Sequence, residues 1–78
     1  MLTIQYGPDH VLEIAVDEEG IADLLRILGR LEPDDHEHLS TPSWGGHPLS
    51  EEFPFQGLVP IHQVTISHVG PEAVIGTG

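Results

Sequence analysis

A two-layer α+β domain is the fold this 78-residue chain predicts, with one helix packed on a small, mostly antiparallel sheet in the order β-β-α-β-β. Three observations carry that reading. Two short runs of alternating apolar residues flank Gly7-Pro8-Asp9. One stretch of helical spacing follows Asp17, a residue suited to cap it. A last alternating run lies between Ile61 and Val69, closed by Gly70-Pro71.

Leu2, Ile4 and Tyr6 alternate with Thr3 and Gln5, which is the period of a strand with one buried face. Leu12, Ile14 and Val16 alternate in the same way, and the Gly-Pro-Asp turn between the runs makes them a hairpin. Asp17 with Glu18 and Glu19 behind it suits the positive end of a helix dipole. Ile21, Leu24, Leu25, Leu28 and Leu31 fall on one helical stripe, and Arg26 and Arg30 sit where the dipole favours cations. Gly20 and Gly29 each weaken the helix by up to about 1 kcal/mol relative to Ala, and Pro33 stops it. The helix is expected over residues 18–31.

His36 to Ser40 reads as a short strand. Thr41 to Pro60 holds too many prolines and glycines for long regular structure. Leu2, Ile4, Leu12, Ile14, Val64 and Ile66 should form the sheet face under the helix, with Leu25 and Ile66 buried. Residues 1–70 form a single domain on this reading, and residues 71–78 a loose C-terminal tail, with Ala73-Val74-Ile75 able to add to a sheet edge.

Thirteen acidic residues against two arginines and no lysine give a formal charge of −11. Two cations cannot neutralise a phosphate backbone or hold an anionic lipid surface, so neither nucleic acid nor membrane is expected as a partner. No run of about 18 apolar residues is present to span a bilayer, and Met1 to Tyr6 does not read as a secretory signal. With no cysteine there is no disulfide or thiolate site, which fits a reducing, cytoplasmic setting. A chain this short buries only about 60% of its unfolded surface, so a partner or a second copy would help it.

Six histidines in so short a chain are conspicuous. His36 and His38, two apart on a strand, point the same way and with His47 offer an imidazole set for zinc or nickel. As solvated side chains beside a core-facing Leu39 they need no metal. His62 and His68 share the parity of Val64 and Ile66 and read as structural histidines at the ends of the buried face. Serines, histidines and carboxylates are too numerous for any triad to be singled out, so neither catalysis nor a cofactor is expected.

The most informative stretch is Leu39 to Phe55. Trp44, the only tryptophan, stands between Pro42-Ser43 and Gly45-Gly46, and two glycines behind a large ring imply a positive φ or a close backbone approach. Phe53-Pro54-Phe55 follows Glu51-Glu52. These rings either pack as a satellite core or present an aromatic anchor.

The run Leu39-Ser40-Thr41-Pro42-Ser43-Trp44-Gly45-Gly46-His47-Pro48-Leu49-Ser50-Glu51, with Ile61-His62-Gln63-Val64-Thr65-Ile66 after it, resembles the immunity protein 32 family of small bacterial proteins. The likeness covers residues 36–69 best. It departs at Pro48 and at Phe-Pro-Phe. It implies a two-layer α+β fold and a cytoplasmic, non-enzymatic protein of a polymorphic toxin system that neutralises a cognate toxin. A charge of −11 suits the basic active site of a nuclease toxin, and it also serves solubility. Under this reading Trp44 is the anchor, Glu51 and Glu52 are the nearest charged contacts, and Asp34, Asp35 and Glu37 come next. The alternatives are a small metal- or ligand-binding domain using His36, His38 and His47, and a homodimeric accessory protein with no chemistry.

Overall fold

The computed structural model describes residues 1–71. The expected tail therefore lies, but for Pro71, outside the described residues. The fold is α+β in the expected order: β1 (Leu2–Tyr6), β2 (Leu12–Val16), α1 (Glu18–Arg30), β3 (His36–Ser40), β4 (Val59–Ile61) and β5 (Gln63–Ser67). The strands form two antiparallel sheets, β2-β1-β4 and β3-β5.

β1 and β2 pair as the hairpin, with Leu2 opposite Val16 and Tyr6 opposite Leu12. The run expected as one strand from Ile61 is divided. β4 pairs with β1, His62 intervenes, and β5 pairs with β3, Leu39 opposite Val64. One segment of chain thus passes from the first sheet to the second. Thr41 N–H donates to the His62 carbonyl (2.9 Å), which ties the crossing point to the end of β3.

The core is Leu2, Ile4, Ile27, Leu39 and Leu49, with Ile61, Val64 and Ile66 packed against it. Both faces of β1 are buried, which the alternation did not imply. Thr3 and Gln5 are covered, and at Gln5 the cover is the chain after Ser50, which returns to it. Gln5 Nε2 donates to the Phe55 carbonyl (2.7 Å) and Gln5 Oε1 accepts from Phe55 N–H (3.1 Å), so the amide imitates a strand partner. Leu49 is drawn in by Leu49 N–H to the Ser40 carbonyl (3.1 Å) and Ser50 N–H to the Leu2 carbonyl (2.8 Å).

Asp17 caps α1 as expected, its Oδ1 accepting from Gly20 N–H (2.8 Å). The burial of the helix corrects the sequence reading. Leu25, expected in the core, is 65% exposed, and Ile21 and Leu28 are exposed too. The line that faces inward runs through Gly20, Leu24, Ile27 and Leu31. The cause lies at Gly20: a Cβ there would stand 1.8 Å from the Met1 carbonyl oxygen. The helix comes down on the strand through the missing side chain and so rolls away from the centre of its apolar stripe. Ile66 is half-buried.

Candidate functional site

At the end of β3 the chain turns through a single 3-10 turn, Pro42–Trp44, and the two glycines behind the tryptophan do what their position implied. Gly45 has φ 79°, a left-handed conformation closing the turn. Gly46 passes so close to β3 that a Cβ would meet Ser40 Cβ at 2.7 Å. The result is a ring displayed on a closed turn, with Trp44 62% exposed.

Its inner face lies flat on His62, ring centroids 5.8 Å apart and planes within 4°. Phe53 meets the same imidazole edge-on at 5.6 Å. His62 Nδ1 is 2.8 Å from Thr41 Oγ1, and Thr41 is wholly buried. Glu51 completes the group. Its carboxylate accepts from Ser43 N–H (3.2 Å) and from Ser43 Oγ–H, and lies 3.7 Å from His62 Nδ1. The three rings do not pack together as one satellite core: Phe53 is half-buried, while Trp44 and Phe55 are exposed.

In this arrangement Ser43 Oγ–H donates to Glu51 and not to the imidazole, and the hydroxyl that does lie against His62 Nδ1, that of Thr41 at 2.8 Å, is wholly buried. What it does provide is an aromatic face held by stacking and a carboxylate fixed by two donors.

The six side chains singled out for partner contact do not form one surface. Trp44 and Glu51 are joined through Ser43 and His62. Glu52 follows Glu51 and is exposed. Asp34 and Asp35 sit at the opposite end of β3, a strand of about 17 Å. They are turned to backbone there: Asp34 Oδ1 accepts from Gly70 N–H (3.3 Å) and Asp35 Oδ1 from His36 N–H (2.8 Å). Glu37 is paired with Arg30 (2.8 Å), an exposed contact that raises the guanidinium's pKa.

His36 and His38 are exposed and meet edge to face at 5.0 Å, and His38 Nδ1 is 2.9 Å from Thr65 Oγ1. Among the described residues no three histidine or carboxylate side chains converge as metal ligands, so His36, His38 and His47 do not assemble. His68, expected at the end of the buried face, is exposed, its Nδ1 3.1 Å from the Leu31 carbonyl. Sequence reasoning missed the roles of Thr41, Ser43 and His62 around Trp44. The only available signal was the shared parity of His62 with the core residues of the last strand.

No helix among the described residues is long and apolar enough to cross a membrane. No protein-family model matches the chain, and no curated protein or solved structure matches it.

Proposed function

We propose that this protein is a non-catalytic, cytoplasmic immunity protein that binds a cognate bacterial toxin and covers its active site. The observation that carries the reading is Trp44: a large ring, mostly exposed, already stacked on His62 and next in the chain to the Ser43 that holds Glu51, in a chain of net charge −11. An anchor fixed before binding loses little rotamer freedom on contact, and tryptophans so placed are common hot spots. The resemblance of residues 39–51 and 61–66 to immunity protein 32 points the same way.

The chemistry of the site selects a cation. An indole face beside carboxylates suits an arginine or lysine of the partner, the residues with which a nuclease holds phosphate. Glu52 is the outward charge. Glu51 is spent largely on the turn.

The test is co-expression with the product of the adjacent gene, scoring growth and complex formation. Rescue by the parent protein, lost or weakened in a folded Trp44→Ala variant, is the expected result. Dissociation should then be faster by about 2 kcal/mol or more. In Glu52→Gln the association rate should fall and depend less on salt. A folded Trp44→Ala protein that binds as tightly as the parent removes the ring from the interface, and a non-toxic neighbour that forms no complex removes the immunity reading.

A further inference from the structure

An apolar groove of about 210 Å³ opens between α1 and the sheets, lined by Leu12, Ile14, Leu24, Leu39, Val64 and Ile66 among others. Its β2 side is not closed. Leu12 is 54% and Ile14 53% exposed although both point into it, and Ile21, Leu25 and Leu28 extend the apolar surface along α1. These five residues are each 47–65% exposed, apolar surface of the kind that marks an interface between proteins. Among the described residues β2 is also a sheet edge, and it has no proline or lysine to discourage pairing.

We propose that a second copy of this chain covers this face, β2 pairing with β2 antiparallel about a two-fold axis at Ile14. The register follows from charge. Centred on Ile14, the strands set Leu12 against Val16 of the other copy and Glu13 against Ala15, so the only charge on β2 never meets itself. Any centre on Glu13 would oppose two carboxylates. The axis stands across the sheet, so both grooves open on one side and the two α1 helices lie over one continuous six-stranded sheet. The contact is isologous and closed, and it leaves no edge at β2 for further growth. It stands independently of the toxin reading, because it uses the opposite chemistry and the protein alone.

Sedimentation over a concentration series should give twice the 8.5 kDa chain mass. Added salt should strengthen association, since two copies of −11 repel while apolar contact is not screened. Leu25→Glu, at a position already 65% exposed, should return a folded monomer. Ile14→Cys reads the register in a chain without cysteine: with oxidised glutathione as oxidant it should link to its own copy, as directly opposed Cα atoms permit, and Glu13→Cys should not. A parent protein that stays monomeric at every concentration overturns the proposal. So does a folded Leu25→Glu protein that is still dimeric, or cross-linking of Glu13→Cys in preference to Ile14→Cys. A monomer that binds an apolar dye only after removal of residues 72–78 also overturns it, assigning the groove to the chain's own end.

Discussion

Two glycines on one helix should respond to alanine with opposite signs. At Gly20 a Cβ would lie 1.8 Å from the Met1 carbonyl oxygen, 2.6 Å from its carbon and 3.3 Å from Leu2 N, all backbone atoms. Reaching ordinary contact requires a shift of about 1.5 Å or more. That shift breaks the Asp17 N–H to Met1 carbonyl bond of 3.0 Å, worth about 1 kcal/mol net. It also disturbs Leu2, which is 1% exposed, at a cost typical of overpacking, about 1–3 kcal/mol. Alanine's better helix propensity returns at most about 1 kcal/mol. The balance for Gly20→Ala is destabilisation of about 1–3 kcal/mol, or roughly 5–20 °C in Tm for a domain of this size. Gly29 has nothing within 4 Å of its added Cβ, so Gly29→Ala should gain up to about 1 kcal/mol and raise Tm by a few degrees. Thermal unfolding followed by circular dichroism decides it. If Gly20→Ala melts at or above the parent, the seating of α1 on β1 through Gly20 is wrong.

Ile27→Ala should cost about 2–4 kcal/mol as a core truncation, while Leu25→Ala, measured on a variant held monomeric by dilution, should stay within about 0.5 kcal/mol. Equal losses in chemical denaturation would restore the original helix face. The pKa of Asp17 is lowered, first by the N-terminal ammonium that donates to it and then by Gly20 N–H. Because the folded value lies below the ordinary 3.8, this contribution is present above that pH and is lost as pH falls through the lower folded value. Asp17→Asn should therefore unfold with a flatter acid limb, seen in melts across the carboxylate range, and an unchanged limb would contradict the cap. Glu51→Gln should loosen the Ser43–Trp44 turn and cost about 1 kcal/mol, whereas Glu52→Gln should leave Tm unmoved. The reverse order would exchange their roles.

The hairpin, the Asp17 cap and the parity of the last strand were legible because each is a local pattern acting within a few residues. Gly45 and Gly46 were legible for the same reason: their lack of a side chain has only a few backbone uses. Which edge of the helix would be buried was not legible, because all five stripe residues are apolar and the choice was made by Gly20, which looked like a defect of the helix. The burial of Thr3, Gln5 and Leu49 was hidden by distance in sequence, since Gln5 meets Phe55 and Leu49 meets the end of β3 only after a long Pro/Gly-rich excursion closes. At the candidate site Trp44 stood out by composition, while the bonding of Glu51, expected as a charged contact for a partner, to Ser43 did not. Their mediator His62 was not legible, because its partners come from residues 41, 44, 51 and 53 on the far side of that same excursion.

His62 is where the fold and the candidate site depend on one another. It is the single residue between β4 and β5, at the step from one sheet to the other. Its carbonyl accepts from Thr41 and its ring backs Trp44. Ile61 just before it and Val64 two residues after it line the groove. The exposed indole and the open apolar face thus hang from one short segment, yet they present opposite chemistry. Under the two proposals, attraction of a basic partner to the Trp44 surface would be weakened by salt, while association of two acidic copies through β2 would be favoured by it. The two surfaces share a backbone but not a side chain, so a change at Leu25 leaves the Trp44 stack in place and a change at Trp44 leaves β2 intact. The same physics explains how an 8.5 kDa chain without disulfides can display a large aromatic ring. The ring stacks on a histidine whose carbonyl accepts from Thr41 N–H at the junction of the two sheets, not on a core of its own.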